Sequence, residues 1–446
     1  MVSQAITEKM ASWEAFRAAA EPVGTKIPSW VGALREGAFD RFVQLGFPTT
    51  DEEDWKYTNV APIARTAFTP ADADAARRLT LDGAAPFLYG EARQSRLIFV
   101  NGVYRPDLSA LAALPPGVVA SDLCAAFAGK QAEAVRRHLA RIALYNESGF
   151  TALNTGLFDG GAFIYIPVGV SVDSPIQLLF LAQGEDPRRA VFPRVLVIAE
   201  RDSSATLIES YEAADETVYL TNAVVEVAIG EAARLTHYKV QREGPNAFHV
   251  ARTGAELGPN SSYDLTTITL GAALSRHDIS VLLDHEGAEC WVDGLYITGA
   301  GQHADTHSLI DHVSPRCRSH QLYKGILDGK SRAVFNGKVY VHKGAQQTDA
   351  MQTNKNLLLS NDARVDTKPQ LEIFADDVKC AHGATVGQLE EEELFYLASR
   401  GLRAETARNL LTYGFAEEVV AKIKIDSIRA QLDEAILNRL HARLEA

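Results

Sequence analysis

The stretch ILDGKSRAVFNGKVYVHKGAQQTDAMQTNKNLLLSNDARVDTKPQLEIFADDVKCAHG, Ile326 to Gly383, decides the fold. Apolar strand ends recur in it at Leu327, Val341, Leu359 and Phe374, spaced 14, 18 and 15 residues apart. Each is followed by three polar or small residues, DGK, HKG, SND and ADD, and then by a second alternating run, SRAVF, AQQTD, ARVDT and VKCAH. A strand–turn–strand unit repeating at that spacing predicts the rungs of a flattened β-solenoid with two main sheets. A sandwich of successive hairpins is the competing architecture.

The repeat carries a register. Ala363, Val365 and Thr367 share one strand face, and Arg364, Asp366 and Lys368 share the other. The apolar set belongs inside. Transferred to KCAHGATVG, Lys379 to Gly387, the inward face takes Val378, Cys380 and His382, while Lys379 points to solvent. Cys380 is then expected to stack on Val365 of the preceding rung and to pack as a small hydrophobe. His382 falls where the solenoid stops, at an edge whose unpaired backbone invites another chain. The pair reads either as metal or cluster ligands, or as a core thiol next to a histidine that is an interface residue or a solvated rim residue.

The texture on either side bounds the solenoid. From about residue 160 to 387, runs such as FIYIPVGVSV, RVLVIAE, AVVEVAIG and CWVDGLYI alternate with Gly, Asn and Asp, with almost no helical period. Upstream, MVSQAITEKMASWEAFRAAAEP reads as a short Ala-rich helix carrying Trp13, Phe16 and Ala20; Val31, Leu34, Phe39, Phe42 and Leu45 continue the helical spacing. RLIFVNGVYRP reads as strand, Asn-Gly turn, strand, and KQAEAVRRHLARIALYNES as helix. Downstream, EEEELFYLASRGL begins a helix that Gly401 ends, and Gly414 is expected to end the next. Ile425, Ile428, Leu432, Ile436, Leu440 and Leu444 form a closing apolar stripe with Asp426 as its cap. The division is therefore 1–150, a helical region with a short hairpin; 151–387, the β-helix core; and 388–446, a helical domain.

Several function classes drop out. A net charge of −13 over 446 residues argues against nucleic acid as a partner. No run approaches the roughly 18 apolar residues of a membrane span, and the N-terminus lacks the pattern of a secretory signal. Four dispersed cysteines, Cys124, Cys290, Cys317 and Cys380, with no CxxC, fit a reducing, cytoplasmic setting. GILDGKS, Gly325 to Ser331, has three residues between its glycines where a phosphate-binding loop needs four, and a strand follows it, so it is a solenoid turn. HADTHSLIDHVSPRCRSH gathers His303, His307, His312, Cys317 and His320; a metal site there competes with polar residues stacked at turns. No nucleophile triad or dinucleotide fingerprint is legible.

From SHQLYKGILDGKS through DDVKCAHGATVG the chain resembles the core of the SufB/SufD family of iron–sulfur cluster assembly proteins. EEDWKYTNV and RLIFVNGVYRPDLS are similar to its SufD branch, and the likeness spans nearly the whole chain. The resemblance implies a right-handed parallel β-helix between two helical regions, in complex with the scaffold subunit SufB and the ABC-type ATPase SufC. It implies that the region from about Glu390 to Lys424, with Glu393, Phe395, Tyr396, Leu410, Tyr413 and Phe415, docks the ATPase. It places the SufB contact at the last strands, with His382 matching the family's functional histidine and Cys380 the motif cysteine. Where SufB carries its cluster-associated cysteine this chain has Ile373 after Glu372, and where SufB has glutamate it has Gly383. Those departures place it on the SufD side and imply no tightly bound cofactor of its own, with iron or a nascent cluster held at the SufB interface. A homodimer of the isolated chain is compatible with the same open edge. A glycan-cleaving β-helix enzyme and a purely structural, dimerising solenoid are the alternatives from other classes.

Overall fold

The structure, a computed structural model, describes residue 13 and residues 27–71, 73–184, 188–299 and 301–442. Phe16, Ala20, Leu444 and the side chain of Leu440 lie outside the described part. The chain is mainly β, a parallel solenoid of about seven turns between N-terminal and C-terminal helical regions. Successive strands alternate between two sheets. The first runs through Tyr219–Ile229, Phe248–Leu257, Leu274–Leu283, His303–His312, Arg332–Val341 and Arg364–Ile373. The second runs through Arg234–Arg242, Ser262–Thr269, Glu289–Thr298, Arg318–Leu327, Asp349–Leu358 and Lys379–Gly387.

The unit that repeats every 14 to 18 residues is not a full rung. Arg332 pairs with Arg364, and Asp349 with Lys379, so a full turn takes about 30 residues. The repeat of 14 to 18 residues is thus half a turn: one strand and the corner that carries the chain to the other sheet. AQQTD is itself such a corner, with its strand starting at Asp349. Strands buried on both faces explain the long apolar runs.

Inside the solenoid, Val225, Ile279 and Phe335 of the first sheet meet Leu207, Leu265 and Val292 of the second. Outside, each sheet is covered by helices. Phe39, Phe42, Trp55 and Phe150 of the N-terminal region pack on Leu220, Val250 and Leu274 of the first sheet. Ile425, Ile428, Leu432 and Ile436 pack on Tyr238, Val240, Ile268 and Leu295 of the second, so the stripe read from the sequence is a core face.

Local details follow from residue chemistry. Asn101 and Gly102 take positive φ and close the hairpin of Arg96–Val100 with Val103–Tyr104. The segment Lys130–Ser148 is helical only over Ala132–His138. Gly401, at φ 91°, does end the helix Glu391–Ser399. Gly414 does not end the next one, which runs Ala404–Val420. Burial of Ala416, Val419 and Val420 on the second sheet outweighs the roughly 1 kcal/mol that an interior glycine costs. Asp426 is the first residue of the helix Asp426–Ala442 rather than a cap; Glu91 accepts the Ser427 N–H at 3.0 Å instead.

Candidate functional site at the open end of the solenoid

Arg364–Ile373 and Lys379–Gly387 terminate their sheets, and among the described residues each has a neighbour on one side. Their free edges frame the mouth of the lumen. Cys380 lies in register with Ala350, and His382 with Gln352. Ala350 and Gln352 both face inward and are buried, so the two site residues point into the mouth as the alternation predicts.

Cys380 does not stack on Val365, because Val365 lies in the opposite sheet, above Ala333. The thiol is half-buried against the cluster of Val339, Val341, Ala345 and Ala350. Burial pushes its pKa up, and the Asp349 charge adds to that, against a backbone hydrogen bond at Ala350. A protonated thiol of this kind is a packing group in the isolated chain. His382 is exposed.

The lumen behind the mouth is polar. Thr367 Oγ1 donates to Asn354 Oδ1 at 2.8 Å across the sheets, and Asn356 Nδ2 donates to the same oxygen at 2.6 Å. Gln352 Nε2 donates to Gln321 Oε1 at 2.8 Å, and Gln321 Nε2 to Ser308 Oγ at 2.9 Å. Gly337 makes room for this chain, since a Cβ there would stand 2.5 Å from Gln352 Nε2. Deeper in, Glu209 accepts from Lys239 Nζ at 2.7 Å and pairs with His237 Nε2 at 2.9 Å. Burial alone would raise its pKa, but those two partners hold it well below the usual carboxylate range. Of these polar lumen residues, Thr367 alone was placed on the inward face from the sequence; the inward parity of Gln352 and Asn354 was the available signal for the others nearby.

Among the described residues, no three His, Cys, Asp or Glu side chains converge in a way that would hold a metal ion. The His303–His320 segment is divided by its own alternation. His303 and His307 lie on the outer face of the first sheet, under the N-terminal region, where His303 Nε2 contacts Thr58 Oγ1 at 2.8 Å and His307 Nε2 lies 3.2 Å from Asp305. His312 faces the lumen and contacts Ser319 Oγ at 2.8 Å. Cys317 is buried at the corner, and His320 faces outward from the second sheet, 3.6 Å from Asp293. At the mouth, Cys380 and His382 supply two donor atoms, fewer than a metal ion needs to be held by this chain's own residues.

The C-terminal residues divide into two groups. Glu393, Phe395, Tyr396 and Leu410 are exposed, with Phe395 76% and Tyr396 56% accessible. Tyr413 and Phe415 are half-buried and turned to the fold: Tyr413 Oη donates to Asp433 Oδ1 at 2.9 Å, and Lys324 Nζ lies 4.2 Å from the centre of the Phe415 ring. Lys422 Nζ bonds Asp293 Oδ2 at 2.5 Å, fixing the same end of the helix to the second sheet.

Known proteins resemble the chain along nearly its full length. Residues 9–178 match the SufBD protein N-terminal region, and residues 180–415 match the SufBD core domain of SUF system FeS cluster assembly. A SufBD family iron–sulfur cluster assembly protein of Synechocystis is 38% identical over 412 residues, covering 90% of this chain and 89% of the relative. The iron–sulfur cluster assembly protein SufD of Escherichia coli is 32% identical over 413 residues, covering 90% and 91%. SufB of Bacillus subtilis is 26% identical over 404 residues, covering 90% and 83%.

Proposed function

Because the chain belongs to the SufBD family of iron–sulfur cluster assembly proteins, we propose that it is the SufD-type subunit of the SUF machinery. In this reading it pairs through its open end with SufB and through the exposed C-terminal helical face with the SufC ATPase. It is a non-catalytic subunit. The iron or nascent cluster is cargo, held where the two solenoids meet.

The observation that carries the reading is the placement of His382. A free imidazole faces the lumen mouth between two unpaired strand edges, the arrangement a partner chain completes. Imidazole suits iron and exchanges protons near neutral pH. Cys380 sits beside it as a packed thiol that a partner's approach would bring into the interface. Motion of SufC would reach the solenoid through Lys324, Lys355 and Lys422, which tie Ala404–Val420 and the turn after it to the second sheet. The family match sets this reading above the glycan-cleaving and purely structural alternatives.

The test is co-expression with SufB and SufC, followed by anaerobic reconstitution of the purified complex with metal analysis. The complex should co-purify, and His382→Ala should leave it assembled while lowering cluster yield. Failure to bind either partner sinks the proposal, and an unchanged yield removes His382 from it.

A further inference from the structure

Gln352 is buried directly behind His382, 1% exposed, and its amide oxygen has no hydrogen-bond partner. A buried acceptor left unpaired is destabilising, so its retention calls for a donor. Nε2 donates to Gln321 Oε1, and Gln321 Nε2 in turn donates to Ser308 Oγ. Oε1 is therefore the end left free.

Few donors in the terminal rung are available to it. Pro369 stands over Gly337 in the facing strand and has no N–H to give. Thr367 spends its hydroxyl proton on Asn354, and Asn354 spends an amide proton on the Tyr323 carbonyl. Cys380 is a weak donor packed against Ala350. His382 remains, in register with Gln352 on the same strand face, one inter-strand step of about 4.8 Å away. At that spacing the His382 side chain is long enough for a ring nitrogen to reach the Gln352 amide.

We infer that Gln352 is a positioning residue for His382: its amide oxygen accepts the proton of one imidazole nitrogen and leaves the other, with its lone pair, presented at the mouth. The partner of one ring nitrogen decides what the other can do. A neutral imidazole fixed in this way offers a base or an iron ligand in a defined direction. The significance for assembly rests on the function proposed above; the hydrogen bond itself does not.

The experiment uses the full chain alone, labelled with 15N-histidine, in two-bond proton–nitrogen spectra at about pH 8, where an ordinary imidazole is neutral. His382→Asn assigns the signals. In the wild type His382 should show one protonated and one unprotonated nitrogen, a single tautomer. Gln352→Leu should shift the tautomer ratio at least fivefold toward that of free histidine, and Gln352→Glu, which restores an acceptor oxygen, should bring the single tautomer back. A wild-type ring that is already averaged overturns the inference whatever the variants do, and so does a ratio unchanged in a folded Gln352→Leu. Because no partner is present, either result leaves the assembly reading to its own test.

Discussion

Glu226 and Arg194 form an ion pair in which neither side chain reaches solvent, with Arg194 Nη2 2.5 Å from Glu226 Oε2. The carboxylate also accepts the backbone N–H of Ala140 at 2.8 Å and those of Ile142 and Ala143 at 3.0 Å. Arg194 donates in turn to Asn154 and Thr155 of the helix Gly149–Leu157. One buried pair thus fastens two N-terminal segments to the first sheet. Desolvation offsets much of its attraction, but removal of one partner strands the other charge. Glu226→Ala should lose about 3–5 kcal/mol of stability, read as a lower urea midpoint. A loss below about 1 kcal/mol, the size of an ordinary substitution, would show that the charge finds water instead.

Two glycines of the second sheet are set by ring packing. A Cβ on Gly294 would lie 2.2 Å from the Tyr323 ring, and one on Gly325 2.1 Å from the Tyr296 ring. Each ring overlies the glycine of the adjacent rung. Gly294→Ala and Gly325→Ala should each cost about 1–3 kcal/mol or more through overpacking. Gly383→Ala, where the added Cβ meets nothing within 4 Å, is the matched control and should leave thermal unfolding unchanged. Equal melting shifts in all three would mean the strain comes from the backbone and not from the rings.

The same positions show what the sequence could convey. Alternation along a strand is local, so the inward parity of Cys380 and His382 was legible from Ala363, Val365 and Thr367. Which strand lies beneath which is not local. The half-turn repeats at 14 to 18 residues and the full turn at about 30, and only the longer period puts Ala350 under Cys380. Gly325 looked like part of a turn motif, GILDGKS, because the Tyr296 ring that excludes a side chain there is 29 residues upstream. The Arg194–Glu226 pair was invisible for the same reason, since each half looks like an ordinary strand charge until the sheet is wound.

His312 supplies a pH dependence of definite sign. It is fully buried in the lumen, and burial lowers its pKa from 6.5 to about 4. The folded chain therefore resists a proton that the unfolded chain accepts below pH 6.5. Stability is intact above the unfolded value and is lost as pH falls from 6.5 toward 4, by about 3 kcal/mol for this group. His277, also held low by burial first and by the Lys239 charge second, acts in the same direction. His312→Gln, which keeps a partner for Ser319, should flatten the decline in urea stability between pH 7 and 4.5. A slope equal to that of the wild type would mean that His312 takes its proton without unfolding.

Phe395 and Tyr396 lie on the helix Glu391–Ser399, which has no buried residue and packs on its neighbour Ala404–Val420. Two exposed aromatics on such a helix contribute little to folding, and surface substitutions of this kind change stability by no more than about 0.5 kcal/mol. Aromatic anchors dominate protein interfaces, where truncating one costs about 2 kcal/mol or more, some 30-fold in affinity. Where the exposed helical face docks the SufC ATPase as proposed above, Phe395→Ala and Tyr396→Ala should leave thermal unfolding of the chain unchanged while greatly weakening retention of SufC in a pull-down. Phe415→Ala gives the contrast. Its ring carries the Lys324 ammonium and packs against the apolar face shared by the C-terminal helices and the second sheet, so this variant should lower stability as well as binding. Equal loss of stability in all three variants would show that the first helix is part of the folded core, and full ATPase retention by the first two would place the docking face elsewhere.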